Sequence, residues 1–246
     1  MSDDNRLARI RKLLAQAEDP ACTPAEAEAF TAKAADLMAR YGIDEALLAQ
    51  SDPGRDPMGD RVVDLLAPYG YEKAWLGAEL ADALRCRSVI KKARLAGNST
   101  FSLHLFGHAS DLTLVEILLT SLLVQGSRDL ARAGVPWDEH PGAYRRSWWL
   151  GFGHAVGDRL REAEAQAAAA AEERFAAQGT SAALVLADRA ALAEQAMRAA
   201  YDDLRTAPRR RLSGGGMGEG YAAGQRADLG RGPRVSGGSR AALGGA

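Results

Sequence analysis

The chain has 246 residues, of which 31 are Lys or Arg and 32 are Asp or Glu, so its formal net charge is −1. This balance excludes a chain that is polycationic throughout, and the 47% of hydrophobic residues exclude a wholly disordered one. Two cysteines cannot form a disulfide scaffold. The start of the chain is acidic, with no apolar segment after it, and the longest apolar stretch, residues 112–124, is shorter than the ~20 residues of a membrane span. We therefore expect a soluble cytoplasmic protein without a signal peptide.

Charge is unevenly distributed along the chain. Residues 205–240 contain eight arginines against Glu219 and Asp228, which gives this segment +6 and leaves −7 for the remainder. A basic segment on an acidic body suggests a polyanionic partner. Only 5 of the 31 basic residues are lysine, a usage that a GC-rich genome also produces, so arginine content by itself is a weak indicator.

The first 50 residues predict an antiparallel helical hairpin, because apolar residues recur at helical spacing in two segments. Thr23 and Pro24 predict the start of the second helix, and Gly42 predicts its end. We expect this module at residues 1–50 and a linker at residues 51–60.

The residues of this hairpin form a recognisable pattern. Its fixed points are Ile10-Arg11-Lys12-Leu13-Leu14-Ala15-Gln16-Ala17-Glu18, Glu26, Ala27, Lys33-Ala34, Leu37-Met38 and Tyr41-Gly42-Ile43. In this pattern, residues 4–45 resemble the bacterial and phage domain of unknown function 2786, and the rest of the chain resembles the uncharacterised companion region that often follows it. The resemblance implies a home in bacteria, phages or mobile elements, and it supplies no catalytic residues.

The remaining chain predicts an α+β domain, mostly helical, at residues 61–205. Alternating apolar residues indicate a β-hairpin with strands at 85–90 and 101–106, joined by a long polar connection, and a third strand at 183–187. Residues 62–66 are compatible with either a strand or a short helix. Helices are predicted at residues 71–84, 112–124, 144–178 and 188–205.

Residues 85–94, which run from the first predicted strand into the tip of the hairpin, contain a cluster of basic side chains and no acidic residue. A basic hairpin can reach a phosphate backbone, although strand edges also carry Lys and Arg to discourage edge pairing. We expect a second basic region in a flexible, glycine-rich tail at residues 206–246, for which a solvated linker is the alternative. The candidate nucleic-acid-binding residues are Arg85, Arg87, Lys91, Lys92, Arg94, Arg209, Arg210 and Arg211.

A metal site is the alternative suggested by His104 and His108, with Asp111 and His154 as further ligands. The spacing supports metal binding only when both histidines lie on one helix face, and His104 falls in a predicted strand. Asp111 is explained as a residue at a helix N-terminus, where the dipole favours it. We therefore expect neither a metal nor a cofactor.

Glycines interrupt the long predicted helix at positions 151, 153 and 157. Their spacing is similar to that of a dinucleotide-binding loop, but no parallel strand follows one helix later. Each glycine costs about 1 kcal/mol relative to alanine in a helix, so close backbone packing is the better explanation.

Three functions are compatible with these features. The first is a non-enzymatic accessory protein that binds DNA or RNA non-specifically through the basic hairpin and tail. The second is a protein–protein adaptor that docks or dimerises through the N-terminal helical hairpin. The third is a metal-dependent hydrolase, which depends on the histidines alone, because the chain lacks a Ser-His-Asp signature, a C-x-x-C pair and a P-loop. The first is favoured by the placement of charge.

Overall fold

A computed structural model describes residues 3–17, 24–52, 54–95, 98–175, 181–204 and 213–227. These residues form seven helices and three strands. The helices are α1 (Asp3–Ala17), α2 (Pro24–Ser51), α3 (Gly70–Ala83), α4 (Ala109–Arg132), α5 (Pro141–Phe175), α6 (Ala182–Ala200) and α7 (Met217–Arg226), and the strands are β1 (Met58–Leu65), β2 (Arg87–Leu95) and β3 (Asn98–His108). The predicted class, α+β and mostly helical with an N-terminal helical hairpin, is confirmed.

The N-terminal hairpin consists of α1 and α2, which pack against each other. Pro24 is the first residue of α2, where its fixed φ angle favours the helix and its missing N–H is not needed. The helix continues through Gly42 to Ser51, so the predicted end at Gly42 is wrong. Gly42 is buried instead, and a Cβ there would lie 2.8 Å from Nη2 of Arg85. The glycine therefore serves close packing rather than helix termination.

The buried side chains of the hairpin join the main apolar core. Ile10, Leu14 and Met38 belong to the same cluster as the buried leucines of α3 and α4, and α2 also contacts α5 and α6. Strand β1 begins at Met58, inside the segment 51–60 that composition predicts as a linker. The division of the chain into domains stays a prediction.

The three strands form an antiparallel sheet in the order β1-β3-β2. The predicted β-hairpin is confirmed, but pairing runs from Arg87 opposite Phe106 to Leu95 opposite Asn98, so only residues 96–97 separate the strands. Leu103 and Leu105 are buried on the face that α3 and α4 cover. The opposite face carries His104 and packs against α6 and the residue that follows it, Tyr201.

The strand predicted at residues 183–187 is wrong, because these residues form the first turns of α6. Buried positions recur every three or four residues, at Ala182, Val185, Arg189 and Ala193, while Leu184 is exposed. The side chain of Ser181 accepts a hydrogen bond from the backbone N–H of Leu184 and caps the helix. The third strand is β1, whose pattern was compatible with a strand or a short helix.

Within the described part of the chain, helix α5 contacts five other helices. Its glycines allow neighbouring backbones to approach: a Cβ on Gly151 would overlap the carbonyl oxygen of Met217, and a Cβ on Gly220 would overlap that of Trp148. Residues 213–227 of the predicted flexible tail therefore include a helix, α7, packed on α5. Residues 206–212 and 228–246 of the predicted tail lie outside the described part of the chain.

Among the described residues, α4 is the one helix whose length and composition would suffice to cross a membrane. More than half of its apolar window (56%) is buried inside the protein, which is expected for a helix of a protein core. This is compatible with the predicted soluble protein, and the cytoplasmic location stays a prediction.

Candidate nucleic-acid interface

The outer half of the β2–β3 hairpin projects beyond the third strand. Pairing between β1 and β3 ends at Leu65 opposite Phe101, whereas pairing between β2 and β3 continues to Leu95 opposite Asn98. At about 3.3 Å per residue, the last three residue pairs extend roughly 10 Å beyond β1. We call the outer half of the hairpin, residues 91–95 and 98–102, the basic ribbon; its last three pairs form the projecting tip, and its first two pairs lie beside the end of β1.

The basic ribbon exposes three cations and contains no acidic residue. Lys91, Lys92 and Arg94 are all exposed, and within the described part of the chain none of them forms an ion pair. Since side chains alternate along a strand, Lys91 lies on one face of the ribbon while Lys92 and Arg94 lie on the other. The ribbon thus offers positive charge on both faces, which suits contact with a polyanion.

Arg85 belongs to the same basic segment of the sequence but is not available to a partner. Its side chain is only 8% exposed, and its guanidinium donates to Glu164 at 2.5 Å and to Asp111 at 2.7 Å. The residue adopts a left-handed backbone conformation with φ 62° in the turn between α3 and β2, which points its side chain inward at a cost of about 1–2 kcal/mol. Arg85 is therefore wrong as a candidate phosphate-contacting residue.

Arg87 has an intermediate position. Its Nε donates to Glu194 of α6 at 2.9 Å, and Nη1 lies 3.5 Å from Asp82 of α3. Two carboxylates on two helices thus hold a guanidinium that is partly exposed. This pairing leaves Arg87 less able than the ribbon cations to contact a phosphate.

The ion pairs of Arg85 extend into a buried charge network that sequence reasoning missed. Asp111, in the first turn of α4, also accepts from Arg189 of α6, and the same guanidinium donates to Asp56 at 2.7 Å. Asp56 in turn accepts from the backbone N–H and the hydroxyl of Ser110. The network joins the segment before β1, the α3–β2 turn, α4, α5 and α6. Asp111 therefore binds two buried arginines, beyond the favourable interaction with the helix dipole that its position predicts.

The pKa values of the two outer carboxylates of this network are shifted in opposite directions. Burial opposes the charge on Asp56, but the hydrogen bonds from Ser110 and the guanidinium of Arg189 outweigh it and lower the pKa of Asp56. Burial raises the pKa of Glu164, and the nearby charge of Arg85 offsets this only in part. Among the described residues, Oε1 of Glu164 has no hydrogen-bond partner, which agrees with a carboxyl group that is poorly solvated.

The candidate metal ligands make other contacts. His104 uses one ring nitrogen for the hydroxyl of Tyr201 at 2.7 Å and the other for Asp60 at 2.9 Å. Nδ1 of His108 lies 2.7 Å from the backbone oxygen of Asp56. His154 lies on α5, with Nδ1 3.8 Å from Glu79. Across the described ranges, no group of three or more His, Cys, Asp or Glu side chains is arranged to hold a metal ion.

The remaining candidates, Arg209, Arg210 and Arg211, lie outside the described residues, and their role stays a prediction. The buried network did leave one signal in the sequence. Arg189 follows the helical spacing of Val185 and Ala193, so it occupies the apolar stripe of α6. A charged residue in such a stripe indicates a buried ion pair, but only the fold identifies its partners.

Comparison with known proteins bears on the N-terminal hairpin alone. The chain matches no curated protein and no solved structure. Residues 6–45, which span most of α1 and the larger part of α2, match the family described as "Protein of unknown function (DUF2786)", so the resemblance predicted for the N-terminal hairpin is confirmed.

Proposed function

We propose that this protein is a non-enzymatic accessory protein that binds nucleic acid without sequence preference through the basic ribbon. The observation that carries the proposal is the exposure of Lys91, Lys92 and Arg94 on a ribbon that has no acidic side chain of its own and whose tip projects beyond β1. Lys and Arg contacts to phosphates supply most of the affinity in non-specific binding. The arginines at positions 209–211 add a second cationic segment to the proposal.

The acidic remainder of the chain would repel a polyanion, but the position of the ribbon tip reduces this repulsion. The ribbon extends beyond β1, so a partner can approach its tip at some distance from the acidic body. Screening at physiological ionic strength weakens repulsion beyond about 8 Å, which is less than the estimated projection of the ribbon. The family resemblance suggests a bacterium, a phage or a mobile element as the source, with the cytoplasm as the location.

The adaptor alternative has less support. The apolar faces of α1 and α2 contact the core of the same chain, which reduces the apolar surface left for another protein. If the protein does not bind nucleic acid, docking of another protein through the N-terminal hairpin becomes the favoured function.

The test is a fluorescence anisotropy titration of a labelled oligonucleotide at salt concentrations between 50 and 200 mM. Three phosphate contacts on duplex DNA correspond to about −2.7 in the slope of log K against log salt. The triple variant Lys91→Ala, Lys92→Ala and Arg94→Ala is expected to lose most of this slope and to bind about tenfold or more weakly at low salt.

A matched control removes three exposed cations from the N-terminal hairpin, Arg9, Lys12 and Lys33. This control has the same change in net charge, so an equal loss of affinity in both variants would contradict a specific role for the ribbon. Absence of binding by the unmodified protein at 50 mM salt would sink the proposal and favour the adaptor.

A further inference from the structure

A cavity of about 810 Å³ lies at the base of the basic ribbon, where β1 ends and α3 begins. The cavity is lined by three aromatic side chains, Tyr69, Tyr71 and Phe101, and by Arg146 of α5. Its volume lies within the range of roughly 300–1,000 Å³ that is typical of sites for small molecules and cofactors. The cavity is therefore large enough to admit a base with its sugar.

The aromatic side chains of the cavity are only partly buried. The ring centroids of Tyr71 and Phe101 lie 5.7 Å apart at an interplanar angle of 70°, so the edge of one ring meets the face of the other. Gly70 makes this arrangement possible, since a Cβ there would lie 3.1 Å from Cδ2 of Phe101 and 3.0 Å from the carbonyl oxygen of Leu65. The cavity thus combines closely packed rings with aromatic surface that is only partly buried.

Two cations of the ribbon lie on the strand face that carries Phe101. Lys92 is paired across the strands with Phe101, and Arg94 is paired with Ser99, which also lines the cavity. Residues opposite each other on neighbouring antiparallel strands have Cβ atoms about 5 Å apart on the same face. The positive charge of the ribbon therefore continues to the mouth of the aromatic cavity.

The cavity also contains two carboxylates, Asp64 and Glu72. These two carboxylates are outnumbered by three cations: Arg146, which lines the cavity, and Lys92 and Arg94, which lie beside it. At the rim, Leu66 is 79% exposed, which adds apolar surface that a flat base can cover. Alternating aromatic and basic groups are typical of proteins that bind single strands, in which bases stack on rings while cations follow the backbone.

We propose that this cavity receives an unpaired base of a single-stranded nucleic acid, which stacks on Tyr69, Tyr71 or Phe101 while Lys92, Arg94 and Arg146 contact the flanking phosphates. The inference rests on the proposed function and narrows its ligand from nucleic acid in general to single strands. A duplex is the poorer ligand, because the faces of its bases are already stacked on one another.

The probe is a short pyrimidine oligonucleotide with one central 2-aminopurine, a base whose fluorescence is quenched when it stacks. The same sequence in duplex form is the comparison. We expect the single strand to bind the full-length protein more tightly than the duplex and to be quenched on binding. Stacking on one aromatic side chain typically changes affinity by about 5- to 150-fold.

The test variant combines Tyr69→Asn with Phe101→Leu. Asparagine tolerates the left-handed conformation of position 69, where φ is 66°, and leucine keeps an apolar side chain at position 101. We expect a loss of at least fivefold in affinity for the single strand, with quenching reduced because Tyr71 is the one ring of the three that remains, and with the salt slope unchanged because no phosphate contact is removed. Tyr221→Leu, an aromatic substitution at an exposed position of α7, is the control and should change neither signal.

The outcomes separate the two proposals. Absence of binding to either strand form at 50 mM salt overturns the proposed function and this inference with it. Equal binding of single strand and duplex, without quenching, overturns the inference while the proposed function stands. If circular dichroism shows that the double variant is unfolded, quenching on the unmodified protein decides the question: quenched 2-aminopurine supports the cavity, and unquenched 2-aminopurine overturns it.

Discussion

Arg85 and Arg94 belong to one ten-residue basic segment, yet their environments are opposite. Arg85 is buried and pairs with Asp111 and Glu164, whereas Arg94 is exposed and, within the described residues, has no ion-pair partner. The guanidinium is chemically the same in both positions. The function of a basic side chain is therefore set by the residues that the fold places around it. A run of like charges in a sequence can contain both structural and surface residues.

The energetic consequences of the two environments also differ. A buried ion pair has given up hydration on both sides, so removing one partner leaves an uncompensated charge in the core. An exposed cation keeps its water, and removing it changes stability little. Stability measurements can therefore test the buried network, while binding measurements test the ribbon.

The largest effect is expected for Arg85→Ala. This change leaves the carboxylates of Asp111 and Glu164 buried without one of their partners, and we expect the free energy of unfolding to fall by about 3–5 kcal/mol. Urea unfolding followed by circular dichroism measures it. Arg94→Ala is the matched control, with a change within about 0.5 kcal/mol. Similar losses in the two variants would break the comparison.

Gly42→Ala tests the contact between the N-terminal hairpin and the network. The new Cβ would lie 2.8 Å from Nη2 of Arg85, which its ion pairs hold in place, and 3.3 Å from Cδ1 of Leu114. We expect a loss of about 1–3 kcal/mol in the free energy of unfolding. Gly218→Ala in α7 meets no atom within 4 Å and should be neutral or stabilising by up to about 1 kcal/mol. A stabilising Gly42→Ala would contradict the close approach.

The pH dependence of stability separates the two outer carboxylates of the network. The folded pKa of Asp56 lies below its ordinary value of 3.8, so its stabilisation is present above that value and is lost as the pH falls below it. Asp56→Asn should therefore destabilise by about 1–3 kcal/mol at pH 7 and by less near pH 3.

Glu164 should show the opposite dependence. Its folded pKa lies above its ordinary value of 4.5, so its contribution to stability is greatest below pH 4.5 and falls as the pH rises through the folded pKa. Glu164→Gln should therefore cost less stability at pH 7 than at pH 4. Unfolding curves of both variants between pH 3 and 7 check the pair, and parallel trends would refute the assignment.

The smallest effect is expected for the triple ribbon variant, Lys91→Ala, Lys92→Ala and Arg94→Ala. Each position is exposed and without an ion pair among the described residues, so each substitution should change the free energy of unfolding by no more than about 0.5 kcal/mol. A cooperative loss of several kcal/mol would show that the ribbon has a structural role and would remove the contrast with Arg85.

Much of the local structure could be predicted from the sequence, because it depends on periodicity and on residues close along the chain. The paired helices α1 and α2, the β2–β3 hairpin, α3 and the long α5 all follow from apolar spacing. Periodicity gave the wrong structure for residues 183–187, since a short apolar run fits both a buried strand and the first turns of a helix. The packed helix within residues 213–227 was not predicted either. The glycines of this segment favour packing only when the backbone of α5 lies against them.

The candidate site shows the same division. A hairpin with five cations and no carboxylate between residues 85 and 94 follows from local sequence pattern. The pairing of Arg85 with Glu164, 79 residues away in the chain, and the bridge of Arg189 between Asp56 and Asp111 are visible only in the folded chain. The reason is that burial of a charge depends on partners brought together from distant segments, and no local pattern records which segments will meet.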